Sequence, residues 1–213
     1  MLERIAYLPH FQNNASSSNT EGTYYLEHDK IMTGPNPALT TLANMWAYCH
    51  SLRLVETDGI DTSKVTSMAS AFDYCYALGT VDISTWDLSK VTTFNAMFRQ
   101  CYHLKTITFG GTAAPVATNF ADVFNSCYAL EYIYGAEHLV TNKATTLSNT
   151  FEYCYNLKSV DCVRSWDVTN VTTFYDTFEG CRSVAYIDLS NWTPTKVTNL
   201  SYMFNQCYNL LTV

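Results

Sequence analysis

The chain has 213 residues, 47% hydrophobic and only 15% charged, an ordered globular composition with a thinly charged surface. Its net charge of −7, from 12 Lys plus Arg against 19 Asp plus Glu, leaves no basic stripe to neutralise phosphates. That argues against nucleic acid and anionic membranes as partners. No stretch approaches the roughly 20 apolar residues of a membrane-spanning helix, so no direct membrane insertion is expected.

Residues 1–40 stand apart. The opening Met1 to His10 has one Glu3/Arg4 pair and a short apolar run, which is not the basic-then-apolar plan of a secretory signal. The run from Asn13 to Gly22 reads as loop, and Gly34-Pro35-Asn36-Pro37 as a turn-rich join. This segment is expected to be an N-terminal cap or tether.

From residue 41 to 213 the chain is periodic. Seven of the eight cysteines, Cys49, Cys75, Cys101, Cys127, Cys154, Cys181 and Cys207, are separated by 26, 26, 26, 27, 27 and 26 residues. Other columns move with them. Three residues before each cysteine stands an aromatic (Trp46, Phe72, Phe98, Phe124, Phe151, Phe178, Phe204). Seven before stands Leu42, Met68, Phe94, Phe120, Leu147, Phe174 or Leu200. These two columns are spaced like one face of a helix. Three and six residues after the cysteine come apolar residues such as Leu104 and Ile107, followed two further on by Phe109, which is strand alternation.

Each unit of 26 or 27 residues is therefore expected to be a short helix, a turn at the cysteine, a short parallel strand and a return loop. Such a unit cannot bury its apolar face alone, and stacking about seven copies closes a continuous core. The expected fold class is α/β, a leucine-rich-repeat solenoid. Return loops recur as Trp86-Asp87-Leu88-Ser89 and Trp166-Asp167-Val168-Thr169, with Trp86, Trp166 and Trp192 packing beneath them. Ser, Thr and Asn crowd the approach to each expected helix, where their oxygens accept from first-turn amides. The fourth unit departs, with Gly110-Gly111 and Gly135-Ala136-Glu137-His138 in place of the tryptophan loop. The chain stops at Val213 within its last strand, with no polar capping unit, so a truncated end or one covered by a partner is expected.

The columns also nominate functional residues. Strand positions between core residues face outward on the concave sheet: Glu56, Thr80, Asp82, Thr106, Thr108, Tyr132, Tyr134, Ser159, Asp161, Tyr186 and Asp188. Hydroxyls, carboxylates and tyrosines there suit a protein or glycan ligand. Asp82, Asp161 and Asp188 have a second reading, tying down the following loop through backbone amides. A second candidate surface is an aromatic ladder beside the cysteine turn, Tyr76, Tyr102, Tyr128, Tyr155 and Tyr208. It serves either to stack coil upon coil or to recognise a ligand.

Catalysis finds no support. His10, His28, His50, His103 and His138 occupy unrelated positions, no nucleophile, zinc or phosphate motif occurs, and repeated coils do not converge unlike groups on one point. No metal or cofactor is assigned. Cysteines fall one per coil without Cys-x-x-Cys, and their parallel Cβ vectors disfavour bridging, so they read as buried free thiols. The strand carboxylates also fall one per coil, too sparse for a calcium loop.

The Val-Thr opening, Met-Phe pair, Cys-x-x-Leu and Ile-Asp-x-Ser-x-Trp-Asp resemble the BspA-like leucine-rich repeats of bacterial surface proteins, most clearly over 81–104 and 160–189. The resemblance implies a non-enzymatic, surface-displayed adhesion or binding module, located outside the cell or on its surface. The alternative is a structural component of a larger assembly, such as a virion or fibre protein, with neighbouring subunits as partners.

Overall fold

The structure, a computed structural model, describes residues 39–213. The expected N-terminal cap or tether, 1–40, lies outside the described residues except for its last two.

The period appears directly as hydrogen bonds between residues one coil apart. One ladder runs through the Val-Thr motif. The Thr66 amide donates to the Thr40 carbonyl, Thr92 to Thr66, Thr118 to Thr92, Thr145 to Thr118, Thr172 to Thr145 and Thr198 to Thr172, at 2.8–2.9 Å. Each of these threonine hydroxyls donates to the same carbonyl as its own amide. Threonine is favoured here because it caps the preceding coil twice, while the adjacent Val65, Val91 and Val171 turn inward and are fully buried.

The expected helices are absent: among the described residues there is no α-helix, only turns and two short 3-10 segments. In place of a helix, the seven residues before each cysteine fold as consecutive tight turns. In the second coil, for example, the Ala71 amide donates to Met68 and the Cys75 amide to Phe72, with Ser70 and Tyr74 at φ 55° and 60°. A turn whose third residue is left-handed flips a peptide. The flipped amides serve the next coil: Asn44 donates to Ala69, Ser70 to Asn95, Tyr74 to Arg99, Ala96 to Ala121, Gln100 to Asn125 and Asp176 to Ser201, at 2.7–3.1 Å. An α-helix would have kept these amides within the segment. Apolar residues three and four apart line one side of either geometry, which is why the spacing reads as helix.

The Ser, Thr and Asn residues at the start of these segments do accept from a nearby amide, but of a turn. Ala69 donates to Ser67 Oγ, Asn95 to Thr93 Oγ1 and Ala121 to Asn119 Oδ1.

Beyond each cysteine the chain extends. β1 (Thr80–Ile83), β2 (Thr106–Phe109) and β3 (Tyr132–Tyr134) form a parallel sheet in the order β1-β2-β3. Thr80 pairs with Thr106 and Thr106 with Tyr132, so equivalent columns stay in register. The sheet is not continuous along the chain. A 3-10 segment, Asp161–Ser165, stands where the fifth coil would place its strand, and pairing resumes as a bridge between Tyr186 and Thr212.

The core is a set of single-residue columns. Trp46, Phe72, Phe98, Phe124, Phe151, Phe178 and Phe204 stack with centroids 4.6–5.8 Å apart and rings within 11° of parallel. Beside them the thiols form a ladder: Cys75 donates to the Trp46 carbonyl, Cys101 to Phe72, Cys127 to Phe98, Cys154 to Phe124, Cys181 to Phe151 and Cys207 to Phe178, at 3.0–3.3 Å. Burial pushes these thiols above their ordinary range, and Cys162, off the column, up to about 12. A donor on a small apolar side chain is what this position requires, since each sulfur meets a carbonyl in the core.

Trp86 and Trp166 are buried and Trp192 partly so. The Trp86 indole donates to Thr57 and that of Trp192 to Val163, each 29 residues back. Trp166 Nε1 has no partner. The coil before it carries the 3-10 turn Ala136–His138 after Gly135, the irregularity expected of the fourth unit.

Candidate functional site

The parallel register gathers six of the nominated strand residues on one sheet face. Thr80, Thr106 and Tyr132 form one row, and Asp82, Thr108 and Tyr134 the next. Along β1 exposed and buried residues alternate, with Val81 and Ile83 inward. Tyr132 and Tyr134 are 42% and 53% exposed, and their rings stack with centroids 5.9 Å apart. Tyr186, two coils on, is 52% exposed, and Ser159 occupies the same column in the coil between. Large aromatics half in water, next to rows of threonine, make a surface with both apolar faces and hydroxyls to offer.

The rest of the stripe is less uniform. Glu56 precedes β1 in a coil with no strand of its own. Asp82 Oδ1 accepts from the Ser84 amide and Asp188 Oδ1 from Ser190, both at 2.9 Å, so these two aspartates hold the loop that follows. Asp188 is further bound to Arg164 at 3.2 Å. Its carboxyl is held below the usual range, chiefly by the Ser190 hydrogen bonds. Asp161 differs: it opens the 3-10 segment, and its amide donates to Ser159 Oγ.

The tyrosine ladder is a stack. Tyr76, Tyr102, Tyr128 and Tyr155 follow one another at 4.7–4.9 Å, nearly parallel. Two members escaped the sequence reading, which followed tyrosine rather than the column. His50 stacks on Tyr76 at 4.4 Å, and the Arg182 guanidinium lies between Tyr155 and Tyr208, at 4.1 and 5.5 Å. Both directly follow a cysteine, so the column itself would have found them. With ring faces turned on one another, the inner rungs offer solvent their edges and hydroxyls.

A third constellation was not read from the sequence. Polar side chains two residues before the cysteine meet their equivalents in the next coil, beside the column five before it. In the second and third coils, Arg99 makes a bidentate pair with Asp73, with Nε–Oδ1 2.9 Å and Nη2–Oδ2 2.6 Å; the Asp73 side chain is 3% exposed. Further along, Glu152, Asp176 and Glu179 bring one oxygen each within 4.8 Å of one another. Their donors are neutral. Asn125 Nδ2 reaches Glu152 at 2.6 Å, Asn205 Nδ2 and Gln206 Nε2 reach Glu179 at 2.9 and 3.3 Å, and the Tyr153 hydroxyl lies 3.5 Å from Glu179. Burial, with repulsion from the neighbouring carboxylates, pushes Glu152 up to about 7 and Asp176 up to about 6. Tyr153 rises to about 12 for the same reasons.

A solved structure that resembles the chain is the crystal structure of a leucine rich cell surface protein from Faecalibacterium prausnitzii A2-165. It is 20% identical, covers 79% of this chain and 68% of that one, and has a TM-score of 0.25. No curated protein matches the chain significantly. A family model matches twice, over residues 40–132 and 118–212, and together the two matches span nearly every coil described above. The chain belongs to the family described as Mycoplasma protein of unknown function, DUF285.

Proposed function

We propose that the chain is a non-enzymatic binding module of the BspA-like leucine-rich-repeat type, displayed at a cell surface, that holds a protein or glycan on its exposed sheet face. The observation that carries this reading is the pair Tyr132 and Tyr134, large rings left half in water beside rows of threonine on an in-register sheet, with the half-exposed Tyr186 in the Tyr132 column two coils on. Tyrosine supplies contact area at little entropic cost, and its face and hydroxyl suit both sugar rings and protein backbones. Repeat motifs shared with bacterial surface proteins point the same way.

The test is binding of the purified chain to a glycan array and to immobilised extracellular proteins, with Tyr132→Ala/Tyr134→Ala/Tyr186→Ala as the comparison. Loss of a saturable signal in a triple variant with an unchanged unfolding midpoint supports the reading. A signal that survives the triple variant moves the ligand off this face. Light scattering across a concentration series addresses the assembly alternative: a defined oligomer and no ligand would favour it over the binding module.

A further inference from the structure

We propose that Glu152, Asp176 and Glu179 form a calcium-binding site on the turn side of the coils, separate from the exposed sheet face. Three observations lead there. The three carboxylates come from adjacent coils and converge within 4.8 Å, with Asp176 and Glu179 only 6% and 7% exposed. Asp176 Oδ1 is buried and accepts no hydrogen bond, although Tyr175 and Glu179 interact with the same carboxyl group, so this oxygen has lost water without a donor of its own. Asn149 Oδ1, in the same column one coil earlier, is a second buried oxygen with no partner. Its backbone is tied to the Tyr175–Asp176 segment by the Asn149 amide on the Tyr175 carbonyl, at 2.9 Å.

The contrast within the molecule strengthens the case. Where Asp73 is buried in the equivalent column, the chain supplies its own cation, Arg99. Among the described residues no lysine or arginine stands among the groups acting on Glu152 or Asp176, and the donors present at the cluster are amides and the phenols of Tyr153 and Tyr175. Three carboxylates at this spacing repel one another unless protons or a cation intervene. The donor set is all oxygen, which selects a hard ion. Ligands at 2.3–2.6 Å from calcium lie at most roughly 5 Å apart, matching the cluster; a magnesium shell is tighter, about 4 Å across.

The experiment uses the whole chain after chelation with EDTA and exchange into buffer at pH 7.5. Terbium luminescence, sensitised by the nearby Tyr153 and Tyr175, should saturate at one ion per chain and be displaced by calcium. Calcium should also raise the unfolding midpoint by several degrees. Asp176→Asn and Glu179→Gln should abolish both responses, whereas Asp73→Asn should keep them. In EDTA, Glu179→Gln should be at least as stable as the parent, because it removes repulsion, so its loss of binding would not reflect misfolding. The proposal is overturned if the folded parent chain shows no saturable terbium signal and no calcium shift. A response that persists unchanged in Glu179→Gln overturns it equally, because the ion then sits elsewhere.

Discussion

The guanidinium carbon of Arg182 lies 4.1 Å from the centroid of the Tyr155 ring, in the rung where the preceding coils carry tyrosine. A planar cation thus replaces a planar ring without breaking the stack, and Tyr208 continues it on the other side. Arg182 Nε is buried without a hydrogen bond, while Nη2 reaches Gln206 Oε1 at 3.3 Å, so the contact rests mainly on the ring faces. Arg182→Ala should cost about 1 kcal/mol in urea unfolding, within the range of partly buried cation–π contacts, and Arg182→Tyr should recover most of it. Equal losses in the two variants would mean that charge, not stacking, holds the rung.

The turn geometry reverses the usual sign of an alanine-to-glycine change. Ala96 has φ 54°, and its amide donates to Ala121 in the next coil. In a helix interior, Ala→Gly costs about 1 kcal/mol. Here the left-handed backbone penalises alanine by roughly 1–2 kcal/mol, which exceeds the extra unfolded-chain entropy of glycine. Ala96→Gly should therefore leave the urea midpoint unchanged or raise it by up to about 1 kcal/mol of stability.

Gly180 occupies the left-handed column, at φ 71°, where other coils carry Tyr48, Tyr74 or Gln100. A Cβ there would lie 2.7 Å from Tyr153 Cδ1 and 3.3 Å from Tyr153 Cα. Gly180→Ala should lose about 1–3 kcal/mol, the combined effect of backbone strain and this overlap. Adding Tyr153→Ala should restore part of the loss, a non-additivity that a double-mutant cycle in urea would register.

The thiol ladder makes the fold sensitive to alkali. Burial raises the folded-state pKa of Cys75, Cys101, Cys127, Cys154 and Cys181 above their unfolded values. The native chain thus keeps protons that the unfolded chain releases above about pH 8.5–9. Stability from this source is complete below that pH and falls as pH rises toward the folded-state values, by about 1.4 kcal/mol per pH unit for each thiol. Urea titrations at pH 8, 9 and 10 should show the decline, and Cys127→Ala should make it shallower. Alkylation at pH 8 should modify the half-buried Cys49 and Cys207 before the inner rungs.

Much of this architecture was legible because the main stacks of the core join a residue to its own equivalent one coil away. Once Cys75, Cys101 and Cys127 are aligned, so are Phe72, Phe98 and Phe124, and the in-register sheet follows. The turns were not legible from apolar spacing, since Leu42, Trp46 and Cys49 recur at intervals that a helix and a run of turns share. A better signal lay in the polar residues between them. Asn44, Asp122, Asn149 and Asp176 share one column with Ser70, Ala96 and Tyr202, and asparagine and aspartate are enriched in left-handed positions. The carboxylate cluster escaped notice because Glu152, Asp176 and Glu179 never adjoin one another as a motif; only superposed coils bring them together. Asp82 and Asp188 were read two ways, and the loop bonds to Ser84 and Ser190 match the second.

The amides that leave each turn for the next coil also set how this protein would respond to being stretched. Those bonds run along the stack, so a pull on its two ends loads them lengthwise and one coil at a time, rather than shearing a whole sheet at once. Each released coil frees 26 or 27 residues, about 90 Å of extended chain at roughly 3.3–3.6 Å per residue. The molecule would therefore lengthen in even increments under low force, as a tether that yields gradually and re-forms from whichever coils remain stacked.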